Sequence, residues 1–330
     1  MTVNDAKVYN NGKYSSMFEN GWQNGAQNTT KVNSELILND GTYSGGLNTI
    51  KNDDYGVITI NGGHYSNYAQ AAVLNWNTAE INDGTFESEY KTILNGQLDN
   101  TMDKGELVIN GGTFRSGSNQ PIIEEMGQAK SIGTIEINGG TYDVAATNLI
   151  SVRHQTLGQI SITGGVYTVK PDEDDIPEGY EIFDNEDGTY TIAKPVTLTF
   201  NANGVTESVT VPAGSHLTAE EAELLKQEVI NALGSSEFTF DGFFIDEAYT
   251  TEFDFTKPFE NDVTVYMKLT QKRTEEQNPS QGNTTTSGEE NKQEATITNP
   301  DTSDINIIAL LGTMIISGAG LGFTIRKRFN

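Results

Sequence analysis

The sequence predicts a mainly β chain: a parallel β-solenoid, then a small α+β module, a disordered linker and a C-terminal transmembrane helix. Three observations carry that prediction. A short phrase, apolar-x-apolar-Asn-Gly/Asp-Gly-Thr-aromatic, recurs through the first half of the chain. Apolar residues make up only 35% of the 330 positions, and 34 glycines stand among many Asn, Thr and Ser, a composition suited to short strands and turns. Past residue 270 the character changes twice, first to a polar stretch and then to an uncharged apolar one.

The clearest copy of the phrase runs from Ile135 to Tyr142, with others at Leu36 to Tyr43, Ile58 to Tyr65, Ala79 to Phe86 and Leu107 to Phe114. A relaxed copy spans Ile160 to Tyr167 and a degenerate one Lys7 to Tyr14. The glycines before the Thr position are Gly12, Gly41, Gly63, Gly84, Gly112, Gly140 and Gly165, at intervals of 29, 22, 21, 28, 28 and 25 residues. Such a period marks a stacked array, and a propeller blade would need about 40–50 residues. Alternation as in Ile58-Thr59-Ile60 predicts a strand with one buried face. The glycine that follows meets a turn's demand for positive φ.

Between copies lie further apolar runs, Ala72-Val73-Leu74, Thr92-Ile93-Leu94, Ile122-Ile123 and Leu149 to Val152, so each unit offers two or three strands. No unit buries its own face, and stacking in parallel places like residues above one another. Three ladders are expected: aliphatic residues, the aromatics Tyr43, Tyr65, Phe86, Phe114, Tyr142 and Tyr167, and the turn residues Asn39, Asn61, Asn82, Asn110 and Asn138. The asparagine amides would link successive turns. With these features, residues 1–170 resemble the right-handed parallel β-helix repeats of bacterial surface proteins and polysaccharide lyases.

The net charge of −26 opposes a nucleic-acid partner. The absence of cysteine excludes disulfides, thiolate metal sites and cysteine nucleophiles. Met1-Thr2-Val3-Asn4-Asp5 is polar rather than a secretory leader; with the extracellular reading below, the expectation is that further polypeptide precedes it. The lyase resemblance implies a face with clustered carboxylates and a basic residue. Lys91, Arg115 and Arg153 are the basic candidates, and Asp53-Asp54 and Glu124-Glu125 the acidic doublets, without a common phase in the repeat. They read as solvated loop charges, and His64, in a Thr slot, as a surface substitution. No metal, cofactor or catalytic residue is expected. Trp22 and Trp76 lie outside the phrase and Arg153-His154 is the sole basic pair here. These four are the candidate ligand contacts, with packing beneath loops the competing role for the tryptophans.

Residues 171–194 open on the acidic, proline-bounded run Pro171 to Pro177, which lacks the ligand spacing of a calcium loop. Tyr180 to Phe183 and Thr189 to Ile192 follow around Gly188, a hairpin placed where a solenoid end needs a cap. Residues 195–270 predict strands at Val196 to Phe200 and Glu207 to Val211 around Asn203-Gly204. Thr218 and Glu221 then form a capping box, and a helix presents Ala222, Leu225, Val229 and Leu233 before Gly234. Strands are expected at Phe238 to Phe240, Phe253 to Phe255 and Val263 to Met267. Two strands, a helix and more strands predict a β-grasp-like fold. The run Phe238 to Phe244, then Asp246, Phe253-Asp254-Phe255 and Val265 to Lys268, resembles the Listeria–Bacteroides repeat family of surface modules. Those modules imply a spacer or adhesive unit without catalysis.

The polar linker 271–298 is predicted to be disordered. Ile305 to Ile325 carries no charge over 21 residues, long enough to cross a bilayer. The tail Arg326-Lys327-Arg328 is then cytoplasmic and everything before the span outside. Asn299-Pro300-Asp301-Thr302-Ser303, span and basic tail, occupying residues 299–330 in that order, resemble the sorting signal of sortase-anchored Gram-positive proteins. Asn299 and Ser303 stand where the common motif has Leu and Gly. The resemblance implies that sortase cuts after Thr302 and joins it to a peptidoglycan amine, the span being transient. A plain membrane anchor is the alternative. The expected function is that of a cell-wall adhesin displaying its solenoid to host or polysaccharide ligands. The alternatives are an anchored polysaccharide lyase or hydrolase, and a passive stalk for an upstream domain.

Overall fold

The structure is a computed structural model that describes residues 1–22, 32–96, 104–117, 119–127, 133–152, 159–185, 187–234 and 237–272. The linker from 273, the sorting motif, the 305–325 span and the basic tail lie outside the described residues.

Residues 1–170 wind through seven successive coils. The first contains β1 (Thr2–Val3), β2 (Lys7–Asn10) and β3 (Phe18–Asn20), and the second β4 (Ser34–Leu38), β5 (Thr42–Gly45) and β6 (Asn48–Asn52). The third contains β7 (Gly56–Ile60), β8 (His64–Asn67) and β9 (Ala71–Asn75), and the fourth β10 (Thr78–Ile81), β11 (Thr85–Ser88) and β12 (Lys91–Asn95). The fifth has β13 (Glu106–Ile109), β14 (Thr113–Arg115) and β15 (Ile123–Glu125), and the sixth β16 (Thr134–Ile137), β17 (Thr141–Asp143) and β18 (Ile150–Val152). The seventh keeps two, β19 (Ile160–Ile162) and β20 (Val166–Tyr167). Every third strand joins the same sheet: sheet A from β1 to β19, sheet B from β2 to β20 and sheet C from β3 to β18. All these pairings are parallel. That is the strand order of a β-solenoid and excludes the antiparallel blades of a propeller.

The register explains why the phrase recurs. In sheet A, Leu38, Ile60, Ile81, Ile109, Ile137 and Ile162 stand in one buried row. In sheet B, Tyr43, Tyr65, Phe86, Phe114, Tyr142 and Tyr167 stack with centroids 4.7–5.1 Å apart and planes within 16° of parallel. Stacked aromatic pairs add about 0.5–1.5 kcal/mol each beyond burial. The buried tyrosines also donate their hydroxyls to the turn just before them, Tyr65 to Gly62 O at 2.8 Å and Tyr142 to Gly139 O at 2.8 Å. Burial pushes both hydroxyls above their usual pKa. At the turn itself Gly140 has φ +105°, and a Cβ there would meet Gly112 O at 3.0 Å. The turn glycine therefore serves both conformation and close stacking.

The degenerate first copy falls elsewhere than expected. Val8, in place of the expected Tyr14, pairs with Tyr43, and Tyr14 is 96% exposed. The copy runs from Met1 to Val8, with Ala6 at the glycine position and Asn4 at the ladder position. Gly12 has no positive φ. The intervals misled because they were anchored on a glycine that this coil lacks.

A hairpin follows the last coil: β21 (Glu181–Asp184) and β22 (Tyr190–Ala193). β22 pairs antiparallel with β20, so the hairpin extends sheet B and buries Ile192 in the solenoid core. Before it, Glu173–Asp175 forms a 3-10 turn, and the Asp172 carboxylate accepts the Asp174 N–H at 3.1 Å. The acidic run is therefore built around a local cap.

The module begins one residue later. It contains β23 (Pro195–Ala202), β24 (Val205–Pro212), α1 (Ala219–Ala232), β25 (Phe238–Phe244) and β26 (Val263–Gln271). The sheet order is β24-β23-β26-β25, with β23 and β26 parallel at its centre. Both halves of the capping box form: the Thr218 hydroxyl accepts from Glu221 N at 3.2 Å, and Glu221 accepts from Thr218 N at 2.8 Å. Gly234 takes φ +65° just past the helix. Ala222, Leu225 and Val229 pack on the sheet beside Phe200 and Val265. Phe253-Asp254-Phe255 is not a strand. The Asp254 carboxylate accepts from the Thr256 N–H at 3.0 Å and from its hydroxyl at 2.6 Å, folding the segment into a turn, while the two rings face the core. β26 also runs through Gln271, into the first residue of the expected linker.

Phe114 lies between Phe86 and Tyr142 with no exposure. Phe114→Ala should lower unfolding free energy by about 3–5 kcal/mol, read from urea denaturation; a loss under 1 kcal/mol would contradict the ladder's structural weight.

Candidate functional site

Three corners join the sheets, and they behave differently. From sheet A to sheet B the connection is three residues in every coil, at 4–6, 39–41, 61–63, 82–84, 110–112, 138–140 and 163–165. From sheet C to the next sheet A it is 13, 3, 2, 10, 8 and 7 residues, at 21–33, 53–55, 76–77, 96–105, 126–133 and 153–159. Insertions in repeat proteins gather on one face, often the binding face. Here the C-to-A corner varies most, while the B-to-C connections, at 11–17, 46–47, 68–70, 89–90, 116–122 and 144–149, range from 2 to 7 residues.

A buried side-chain ladder supports this corner. Asn20 Nδ2 donates to Asn52 Oδ1 at 3.0 Å, Asn52 to Asn75 at 2.9 Å, Asn75 to Asn95 at 2.8 Å, and Asn95 to Glu125 Oε2 at 2.6 Å. The same amides reach the carbonyls that begin the next sheet A strand, as in Asn52 Nδ2 to Gly56 O at 3.0 Å. The connections thus vary in length above a base held by satisfied polar groups. A second ladder, Asn39-Asn61-Asn82-Asn110-Asn138, lies exposed at the A-to-B corner as expected, with links of 2.8–3.0 Å. The two have opposite polarity: buried amides donate toward later coils and exposed ones toward earlier coils.

Glu125 closes the buried ladder as an acceptor with no exposure. Its Oε1 accepts the Gly127 N–H at 2.9 Å. Burial pushes its pKa up to about 7 against the pull of its donors, Asn95 first, then Gly127 and Gly133. Val152 follows it in the register, so no further rung forms.

Where the 21–33, 53–55 and 76–77 connections leave sheet C, indole, carboxylate and ammonium side chains meet. Trp22 N–H donates to Asp54 O at 2.9 Å, drawing the first two coils' connections together. Trp22 is 44% exposed, whereas Asp53 and Asp54 are buried. Lys51 Nζ lies 2.6 Å from Asp53 Oδ2, 3.2 Å from Glu19 Oε1 and 4.3 Å from the centroid of Trp76. Burial draws the lysine pKa down, but the Asp53 and Glu19 contacts outweigh it and hold it above its usual value. Burial raises the Asp53 carboxyl despite its bonds to Lys51 and the Asp54 N–H. Tyr55 adopts φ +59°, a left-handed conformation disfavoured for such a side chain. The Trp76 indole N–H is buried without a hydrogen-bond partner among the described residues. Chemically, the corner offers an exposed indole beside a largely buried Lys51–Asp53 pair, a surface suited to binding ligands with flat apolar faces.

The two candidate tryptophans therefore share one corner, on coils 1 and 3, flanking Asp53-Asp54 on coil 2. Trp76 packs on Leu74 and Leu94 outside sheet C, which satisfies the packing role, while Trp22 keeps an open face. Arg153 and His154 lie outside the described residues, in the 153–159 connection. Lys91 pairs with Glu124 at 3.0 Å on sheet C, and Arg115 pairs with Asp143 at 2.9 Å on sheet B. The structure does not bring those two together. No group of three or more His, Asp or Glu with metal-binding geometry occurs among the described residues. Asn299 to Ser303 and Arg326 to Arg328 also fall outside them. The chain matches no family model, and no curated protein matches it.

Glu125 makes stability depend on pH in a defined direction. Its folded pKa lies above the ordinary glutamate value of 4.5, so its contribution is full below about pH 4.5 and is lost as pH rises to about 7. The loss is about 3 kcal/mol. Urea denaturation from pH 4.5 to 8 should show Glu125→Gln flattening this slope relative to the parent, whatever its absolute stability; parallel slopes would refute the assignment.

Proposed function

We propose that the chain is a non-enzymatic surface protein, anchored in a Gram-positive cell wall, that presents its solenoid as an adhesive face to host or polysaccharide ligands. The observation that carries the adhesive reading is the C-to-A corner. Its connections vary from 2 to 13 residues beside a buried ladder that runs through coils 1 to 5, and it exposes Trp22 beside Lys51 and Asp53. Variable connections on a rigid base are how binding surfaces are commonly built. The remaining parts support display. The hairpin β21–β22 covers sheet B at the end of the coils, and Lys194 alone separates β22 from β23. The 2-1-4-3 sheet with its packed helix supports a β-grasp-like spacer, in keeping with the Listeria–Bacteroides resemblance.

The anchor rests on sequence. Asn299 to Ser303, the uncharged 305–325 segment and Arg326-Lys327-Arg328 stand in sorting-signal order, with sortase as processing partner and peptidoglycan as acceptor. No helix among the described residues is long and apolar enough to cross a membrane, and the 305–325 segment lies outside them.

Cells displaying the chain should lose adhesion when residues 1–170 are deleted, and Trp22→Ala in the full chain should weaken it about tenfold or more. Adhesion that survives the deletion would overturn the reading. Mass spectrometry of wall-released protein should find its last residue to be Thr302, joined to a peptidoglycan fragment. A mature protein still ending in Phe329-Asn330 would show an ordinary membrane anchor instead.

A further inference from the structure

Away from the Trp22 corner, the described solenoid exposes four tyrosines, and all four lie on one strip. Tyr9 is on β2, Tyr14 in connection 11–17, Tyr68 in 68–70 and Tyr90 in 89–90. The strip runs along the outside of sheet B and its corner with sheet C, through coils 1 to 4. Asn67 pairs with Ser88, so Tyr68 and Tyr90 stand one coil apart, about 4.8 Å along the axis, offset by one residue. They are 53% and 49% exposed, and no hydrogen bond holds their hydroxyls among the described residues.

The steps on either side carry glycine at this corner. In coil 2, Gly45 and Gly46 occupy this corner, and a Cβ on Gly45 would lie 2.0 Å from Asn10 O. In coil 5, Gly117 stands there, and its Cβ would lie 1.7 Å from Glu89 O. The aromatic rungs of coils 3 and 4 are thus flanked by glycine-bearing steps, beside the exposed side chains of Gln70 and Glu89.

We propose that this strip binds an uncharged polysaccharide laid along the solenoid axis, with sugar rings stacked on Tyr68 and Tyr90 and hydroxyls bonded to Gln70 and Glu89. The proposal deepens the adhesive reading and rests on it. A ligand with a repeating ring suits Tyr68 and Tyr90, which stand on successive coils, because two successive units meet equivalent contacts. Tyrosine faces pack on the C–H faces of sugars while the phenol hydroxyls stay wet. The net charge of −26 repels polyanions. Lys91, next to Tyr90, and Arg115, in the following coil, are held by Glu124 and Asp143, so neither cation is free to receive an acidic sugar.

The test uses the full chain in affinity electrophoresis through gels of uncharged glucan or mannan, with alginate and hyaluronate as charged controls. The parent should be retarded by an uncharged polymer and not by the charged ones. Tyr68→Ala with Tyr90→Ala should weaken retardation about tenfold, whereas Tyr68→Phe with Tyr90→Phe should keep most of it. Unchanged thermal unfolding of both variants would exclude misfolding as the cause. Full binding by the double alanine variant, or retardation by the polyanions alone, would overturn the proposal. Adhesion to cells without binding to any uncharged polymer would overturn it too, in favour of a protein partner, and leave the adhesive reading standing. Loss of both would end both.

Discussion

The constraint on which the molecule depends is that each coil supplies half of its neighbour's hydrogen bonds. A coil of short strands has no ladder of its own, so every backbone N–H and C=O must meet a partner one rise above or below. Equivalent residues then stack, and the side chains must be ones that gain from standing on themselves. Flat rings, branched aliphatics and primary amides do so; repeated like charges do not. The stacked rings from Tyr43 to Tyr167 and the two asparagine ladders are the side-chain expression of that backbone requirement.

The same constraint divides the surface into fixed and free regions. The A-to-B corner tolerates no change of length, since its glycine carries positive φ and touches the glycine carbonyl of the preceding coil, as Gly140 does at Gly112 O. At the C-to-A corner buried asparagines bond the carbonyl that starts the next strand, Asn20 to Ser34 O and Asn52 to Gly56 O, so strand ends are fixed independently of what joins them. Length and chemistry can change there at small cost, because closing a longer loop adds only slowly to the entropy. Binding residues are expected in such regions, and Trp22, Asp53, Asp54 and Trp76 are found in one.

Much of this was legible in the residues, and the exceptions have physical causes. The exposed ladder announced itself because Asn39, Asn61, Asn82, Asn110 and Asn138 sit inside the repeated phrase. The buried ladder had a fainter signal: Asn20, Asn52, Asn75 and Asn95 each end a short run such as Ile50-Lys51-Asn52 or Ile93-Leu94-Asn95. An asparagine at a strand end reads as a turn residue, and only stacking turns it inward. The first coil escaped because Ala6 and Val8 replace glycine and aromatic residues, and a nearby Asn-Gly supplied a false anchor. Phe253 and Phe255 alternated like a strand, but Asp254 binds Thr256 locally and the rings reach the core from a turn.

The sequence by itself determined the solenoid, its phase over six of the seven coils, the capping hairpin and the helix with its capping box. These follow from local rules: period-two alternation, φ demands at glycine, and caps that bond within four residues. Only the tertiary structure decided which corner keeps a constant length and which varies most, that the two tryptophans share the latter, and that Glu125 ends a buried amide ladder. Those facts depend on which residues stand one coil apart. The separations between such residues differ from coil to coil, so no fixed spacing along the chain records them.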